Sequence, residues 1–203
     1  MKIARILYPV HVLGPKERVV IWTYGCKHGC KGCANPELSR TEGLPETDKK
    51  QLEALFEKLL EKGPIEGVTI SGGDPFYDTE SLLDILQVVT NYTLDILVYT
   101  GYLKEELQSE DCKKALEQIA VLIDGPYKEE LNMGHVLKGS ENQKIYYLKE
   151  EYKAEYEVYI EENKGKYLVE NFPVKGGFIS AGIHKPEFQK QIKPCYIQGG
   201  RNE

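Results

Sequence analysis

The sequence has no apolar run long enough to cross a membrane, no secretory signal pattern and no excess of positive charge. A membrane helix needs about 20 consecutive apolar residues, and the apolar start of this chain is interrupted by Arg5 and Pro9 with no cleavage-like segment after it. Lys and Arg number 26 against 32 Asp and Glu, for a net charge of -6, whereas nucleic-acid binding relies on Lys and Arg that neutralise phosphates. We therefore expect a cytoplasmic protein that binds neither nucleic acid nor a membrane.

Cysteine is scarce but unevenly placed. Three of the 5 cysteines are Cys26, Cys30 and Cys33, and an odd number with such clustering does not fit a secreted disulfide framework. The C-x3-C-x2-C spacing lets one loop wrap a compact metal centre, and Gly29 and Gly32 suit the special backbone angles of that loop. A cubane iron-sulfur cluster usually takes four thiolates. Three local ligands leave one iron open, as a catalytic centre requires.

Zinc is the alternative for this loop. A zinc knuckle would need a fourth ligand from His28, Cys112 or Cys195, and thiolates also suit zinc. The usual zinc pattern is a pair of CxxC halves, so we favour the iron-sulfur interpretation. Cys112 lies in a charged helical segment and Cys195 near the tail, and we interpret both as incidental.

The rest of the first 150 residues alternates between strands and helices. Apolar runs predict strands at 17–24, 67–70, 95–99 and 119–123, and amphipathic spacing predicts helices at 48–62, 79–90 and 103–118. Strands separated by helices form a parallel sheet, whose ligands gather at the carboxyl ends of the strands. Those ends are YGC, SGGDP, YTGY and IDGPY. We expect the four loops to lie on one rim.

The alternation of strands and helices ends at about residue 151. EYEVYIEE and KYLVENF flank Asn163, Lys164 and Gly165, which indicates a hairpin, and GGFISAGI predicts a further strand. We therefore predict a core over residues 1–150 and a β-rich C-terminal extension over residues 151–203.

Five segments together carry a family resemblance. They are GCKHGCKGCANPE at 25–37, SGGDP at 71–75, YTGY at 99–102, IDGPY at 123–127 and GSENQ at 139–143. In this order they resemble the radical S-adenosylmethionine superfamily, and within it the activating proteins of anaerobic ribonucleotide reductase and their 4Fe-4S single-cluster-domain relatives. The resemblance covers about residues 1–150.

The resemblance implies an oxidoreductase with one 4Fe-4S cluster on the three clustered cysteines. S-adenosylmethionine would chelate the fourth iron, and its one-electron cleavage would give methionine and a 5'-deoxyadenosyl radical that abstracts hydrogen from the substrate. The backbone at Gly72 and Gly73 would approach the methionine moiety, and Asp74 would attract its ammonium group. Further candidates for contacts with this cofactor lie in the matching motifs: Asn35, Ser71, Thr100, Asp124 and Asn142.

Chain length limits the fold. A complete (βα)8 barrel takes about 250 residues, and this chain has 203, so we predict an α/β fold with a partial (βα) barrel of the radical S-adenosylmethionine type. Its open side would suit a protein substrate. The resemblance implies a glycyl radical enzyme such as anaerobic ribonucleoside-triphosphate reductase, with flavodoxin or ferredoxin as the reductant.

Two departures keep other functions open. Ala34 follows the last clustered cysteine where reductase activators often carry an aromatic residue, and the short activators lack an extension after residue 150. The alternatives are radical modification of a peptide, nucleoside or other small substrate, and a non-catalytic metal-binding protein that binds a partner.

Overall fold

A computed structural model describes residues 1–175 and 177–188 of the chain. An open six-stranded sheet has its strands in chain order and is followed by a two-stranded hairpin. The strands are β1 (Ile3–Val10), β2 (Arg18–Thr23), β3 (Gly67–Gly72), β4 (Ile96–Tyr99), β5 (Val121–Asp124), β6 (Lys144–Tyr147), β7 (Val169–Val174) and β8 (Gly177–Gly182). The helices are α1 (Lys49–Leu60), α2 (Thr79–Val89), α3 (Glu110–Gln118) and α4 (Lys153–Glu162). Within the described ranges, no helix is long and apolar enough to cross a membrane.

The sheet has a parallel centre and antiparallel edges. Strands β2 to β5 run parallel, while β1 pairs with β2 and β6 pairs with β5 in the antiparallel sense. The four predicted strands and the helices predicted at 48–62 and 79–90 are confirmed, whereas the helix predicted at 103–118 forms only over Glu110–Gln118. The fold is α/β with a sheet that does not close. Strands β1 and β6 were not predicted because edge strands are only half-buried and lack a continuous apolar run. Pro9 is tolerated on such an edge.

The two faces of the sheet are covered differently. Helices α1 to α3 pack on one face through apolar side chains that include Phe56, Leu82 and Ala115. The other face is covered by the C-terminal segment, where Tyr156 of α4 and Ala181 of β8 are buried against the sheet. The extension therefore completes the hydrophobic core.

The described part of the predicted β-rich extension holds one helix as well as a two-stranded hairpin. EYEVYIEE forms α4 rather than a strand, and Asn163 ends that helix instead of starting a hairpin turn. The alternation of apolar and acidic residues favoured a strand, yet Tyr152, Tyr156 and Tyr159 also recur at helical spacing and face one cluster. The strand predicted in GGFISAGI forms over Gly177–Gly182 as β8, and it pairs with β7, which begins in the KYLVENF segment. The division at residue 150 stays a prediction.

A buried ion pair attaches α4 to the sheet. Arg18 at the start of β2 is fully buried, and its Nη1 lies 2.7 Å from Oδ2 of Asp95, just before β4. The hydroxyl of Tyr156 donates to Oδ1 of Asp95 at 2.7 Å, and Nε of Arg18 donates to Thr69. Buried charges are stable only when paired and hydrogen-bonded. Strands β2, β3 and β4 and helix α4 are thus joined at the amino end of the sheet.

Candidate functional site

A cavity of about 420 Å³ lies at the carboxyl ends of the parallel strands. Its lining includes Cys26 after β2, Ser71 and Gly73 after β3, Thr100 after β4 and Gly125 after β5. The expected rim is therefore confirmed. A cavity of this size at the carboxyl ends of strands has the volume and the position of a small-molecule site.

The cysteine loop turns sharply at its glycines. Gly25, Gly29 and Gly32 have φ angles of 93°, 60° and 74°, which residues other than glycine rarely adopt. The role expected for Gly29 and Gly32 is confirmed. A Cβ on Gly32 would also meet the Glu129 carboxylate, so the cysteine loop lies directly against the loop that follows β5.

All three clustered thiols face the same cavity. Cys26, Cys30 and Cys33 are half-buried and line it together. Burial raises the pKa of the Cys26 and Cys33 thiols, so in the free protein the protonated form of each is favoured. A metal centre reverses this because coordination deprotonates a thiol. Three soft donors at one cavity fit an iron-sulfur cluster with an open position.

The described residues give no support to a fourth ligand for zinc. Cys112 is buried in α3, where its sulfur lies 3.8 Å from the Thr79 hydroxyl, and it does not line the cavity. The imidazole of His28 is hydrogen-bonded to Asp74. Cys195 lies outside the described residues. Within residues 1–175 and 177–188, no three His, Cys, Asp or Glu side chains are arranged to hold a single ion.

Asp74 joins three of the loops. Its carboxylate is almost fully buried and accepts hydrogen bonds from Nε2 of His28 at 2.7 Å, the Thr100 hydroxyl at 2.9 Å and the Gly101 amide at 2.8 Å. It also accepts from the Phe76 amide at 2.9 Å. Asp74 does not line the cavity. Its contact with the ammonium group of S-adenosylmethionine stays a prediction. In the structure, its hydrogen bonds hold the loops together.

The double glycine of SGGDP permits close packing of backbones. A Cβ on Gly72 would overlap the Thr23 backbone, and one on Gly73 would overlap the Gly25 carbonyl. Two hydrogen bonds fasten the turn, from the Gly73 amide to the Thr23 carbonyl at 2.8 Å and from the Asp74 amide to the Gly25 carbonyl at 2.7 Å. The turn is thereby fixed against the start of the cysteine loop.

The other predicted residues divide into two groups. Asn35, Ser71 and Thr100 line the cavity, while Asp124 and Asn142 do not. Asp124 accepts from the Lys104 amide at 2.7 Å, and the Asn142 amide donates to the Pro126 carbonyl at 2.8 Å. Both side chains therefore support the loops of the rim from outside the cavity.

Sequence reasoning missed several lining residues. Trp22 and Tyr99 lie on the strands themselves, and Gln143 is the neighbour of Asn142 in the GSENQ motif, which could have identified it. His184 and Phe188 also line the cavity, although no motif surrounds them. They are placed there by the packing of β8 on the sheet, which local sequence does not reveal.

The chain was compared with known proteins. The family described as 4Fe-4S single cluster domain matches residues 12–146. The anaerobic ribonucleoside-triphosphate reductase-activating protein of Escherichia coli (strain K12) is 31% identical over 150 residues, which cover 70% of this chain and 96% of that protein. The protein of the same name from Haemophilus influenzae is 34% identical over 149 residues, with 70% and 96% covered. That of Enterobacteria phage T4 is 31% identical over 145 residues, with 69% and 90% covered.

Proposed function

Since the chain belongs to the 4Fe-4S single cluster domain family, together with the anaerobic ribonucleoside-triphosphate reductase-activating proteins, we propose that it activates a glycyl radical enzyme. The favoured target is an anaerobic ribonucleoside-triphosphate reductase, the enzyme named in its relatives. The observation that carries the proposal is the convergence of Cys26, Cys30 and Cys33 on one cavity beside the SGGDP turn.

In this proposal the three thiolates would hold the cluster and would leave one iron for the amino and carboxylate groups of S-adenosylmethionine. When bound, the cluster would supply the electron that cleaves a carbon–sulfur bond of S-adenosylmethionine, and the resulting radical would remove a hydrogen atom from the target. The protein itself would bind and orient the cofactor and exclude water from the cavity. Trp22 and Tyr99 give the cavity apolar surface, which limits the access of water to a reactive radical.

Polar side chains of the rim would hold the cofactor. Ser71, Thr100 and Asn35 line the cavity and offer a hydroxyl, a hydroxyl and an amide to its polar groups. Asp74, Asp124 and Asn142 would fix the loops of the rim from outside the cavity. Asp74 is hydrogen-bonded to both His28 and Thr100. It would therefore fix the position of the cysteine loop relative to the loop that carries Thr100.

The fold fits this chemistry. An open sheet with three helices on one face supports the proposal of a partial (βα) barrel of the radical S-adenosylmethionine type. A reductant such as flavodoxin or ferredoxin would supply the electron in the cell.

A second function is radical modification of a peptide, nucleoside or other small substrate. The observation that favours it is the C-terminal segment, which adds Ser180 to Lys185 and Phe188 to the lining of the cavity. A metal-binding protein without activity is the remaining alternative, and it predicts no cleavage of S-adenosylmethionine.

Electron paramagnetic resonance tests the proposal. The reconstituted protein, a reductant and S-adenosylmethionine are mixed anaerobically with an anaerobic ribonucleoside-triphosphate reductase. We expect a glycyl radical signal on the reductase, which the Cys26→Ala variant fails to produce. Cleavage of S-adenosylmethionine without that signal would instead favour the small-substrate function.

A further inference from the structure

One wall of the cavity comes from outside the region matched by the family. Residues 180–188, which we call the C-terminal wall, comprise the end of β8 and the segment after it. Seven of its residues line the same cavity as the three clustered cysteines: Ser180, Ala181, Gly182, Ile183, His184, Lys185 and Phe188. The family match ends at residue 146. The wall is therefore an addition to the shared core, and it borders the reaction site.

The C-terminal wall is held in place by hydrogen bonds to the loop after β5. The Asn132 amide donates to the His184 carbonyl at 2.8 Å, and the Glu187 amide donates to the Glu129 carboxylate at 3.1 Å. Glu129 in turn lies against Gly32 of the cysteine loop. The wall and the cysteine loop are thus joined through one shared loop. A surface fixed in this way binds a ligand at a lower entropic cost than a mobile one.

The wall presents an aromatic surface with Lys185 as its single charged lining residue. The rings of His184 and Phe188 stack with their centroids 3.7 Å apart, and Nε2 of His184 lies 2.7 Å from the Ser180 hydroxyl. Burial lowers the pKa of His184 to about 4, so its imidazole is neutral at neutral pH. Ala181, Gly182 and Ile183 add small or apolar surface.

The whole lining is poor in charge. Among the described residues that line the cavity, Lys185 is the only Lys or Arg, and none is Asp or Glu. The ammonium group of Lys185 lies 5.5 Å over the Tyr167 ring. Recognition of a triphosphate relies on several cationic side chains or a metal ion. The lining therefore suits an uncharged group better than a nucleoside triphosphate.

We propose that the C-terminal wall contacts the target's glycine-containing segment directly and favours a segment without charged side chains. The inference rests on the proposed function and adds where the target segment binds. One electron from the reductant breaks the C5'–S bond of S-adenosylmethionine, which gives methionine and the 5'-deoxyadenosyl radical. That radical takes one hydrogen atom from the glycine α-carbon. The products are 5'-deoxyadenosine and a glycyl radical.

The test uses a defined peptide and the reconstituted protein. The probe is an acetylated, amidated pentapeptide of uncharged residues whose central glycine carries deuterium on its α-carbon. Calorimetry measures its dissociation constant, and mass spectrometry measures deuterium in 5'-deoxyadenosine. We expect Phe188→Ala and His184→Ala each to weaken peptide binding by about tenfold. The affinity for S-adenosylmethionine should stay within about twofold, because the wall contacts the substrate and not the cofactor.

Phe178→Ala is the matched control. Phe178 lies on β8, six residues before His184, is 44% exposed and does not line the cavity, so its replacement should leave peptide binding unchanged. Phe188→Leu keeps apolar volume and guards against misfolding. Loss of S-adenosylmethionine binding in both Phe188 variants would show that the wall serves the cofactor or the fold, and the proposal would be wrong.

Two further outcomes would also overturn it. These are a wild-type protein that does not bind the peptide, and wall variants that bind the peptide as tightly as wild type does. The identity of the target enzyme is tested separately, by the glycyl radical signal on the reductase. If the wall-dependent peptide binding is observed but no glycyl radical forms on the reductase, the assigned partner is wrong and the inference about the wall stands.

Discussion

Nε2 of His28 lies 2.7 Å from Oδ2 of Asp74, which links the cysteine loop to the turn after β3. The same carboxylate accepts from the Thr100 hydroxyl and the Gly101 amide. A single buried side chain therefore sets the relative position of three loops that border the cavity.

We expect Asp74→Asn to loosen these loops. An amide offers one acceptor oxygen and brings two N–H donors to a place where every neighbour donates, so at least one hydrogen bond to a charged acceptor is lost, at a cost of about 2 kcal/mol. The reconstituted variant should lose iron to a chelator faster than wild type and bind S-adenosylmethionine more weakly. Wild-type values for both would contradict this role.

Asp78→Asn is the control for that experiment. The Asp78 carboxylate caps α2 by accepting from the Ser81 amide at 3.1 Å. Asparagine caps a helix about as well as aspartate does, so the free energy of unfolding should change little, while iron retention stays at the wild-type level.

Replacement of single cysteines separates ligands from bystanders. Cys26→Ala, Cys30→Ala and Cys33→Ala should each reduce the iron content after reconstitution and abolish cleavage of S-adenosylmethionine. Cys112→Ala should retain both, because Cys112 is buried in α3 away from the cavity. Cys195→Ala is expected to do the same. Iron analysis of the five variants measures this, and loss of iron on Cys112→Ala would invalidate the ligand assignment.

Tyr156→Phe tests the attachment of α4 to the sheet. The substitution removes the hydroxyl that donates to Asp95 at 2.7 Å in a buried site, so urea unfolding should show a loss of about 2 kcal/mol. Tyr159→Phe is matched to it, because that hydroxyl donates to the His11 carbonyl at the surface, and it should cost much less. Equal losses in the two variants would argue against the buried network.

The same network changes what we expect of a truncation after Glu150. The shortened chain would lose Tyr156 and Ala181 and expose the Arg18–Asp95 pair. We therefore expect it to unfold rather than to remain an active core, and circular dichroism measures the outcome. A folded product that still cleaves S-adenosylmethionine would support the division at residue 150.

Burial of His184 predicts a pH dependence of stability. Burial lowers its pKa to about 4, while the unfolded state titrates near the usual value of about 6.5. The unfolded state thus binds the proton more readily, and the stabilising contribution is complete above pH ~6.5 and is lost as the pH falls toward ~4. In urea unfolding, wild type should lose more stability between pH 7.5 and 5.5 than His184→Gln does. An identical loss in both would contradict it.

The residues of the cysteine loop and of the SGGDP turn could be predicted from the sequence, whereas the contacts that hold these loops in place could not. The spacing of Cys26, Cys30 and Cys33 after a buried strand is local information, and so is the SGGDP turn. The burial of Asp74 depends on donors from loops 26 to 46 positions away in the chain, which no local pattern reports. In the extension, Tyr156 belongs to an apolar pattern that fits both a strand and a helix. Its contact with Asp95 decides between them.

The C-terminal wall shows the same limit. The strand predicted in GGFISAGI is confirmed over Gly177–Gly182, but the position of a strand in the chain does not say which surface it covers. His184 and Phe188 reach the cavity only because β8 packs beside Trp22. Such placement follows from tertiary packing.

The central claim is that the three clustered cysteines hold a cluster that cleaves S-adenosylmethionine, and anaerobic reconstitution followed by reductive cleavage tests it most directly. The account predicts a brown protein with about four irons per chain. With a reductant, that protein should convert S-adenosylmethionine to methionine and 5'-deoxyadenosine. Stoichiometric zinc without iron, or a loaded cluster that leaves S-adenosylmethionine intact, would contradict the account.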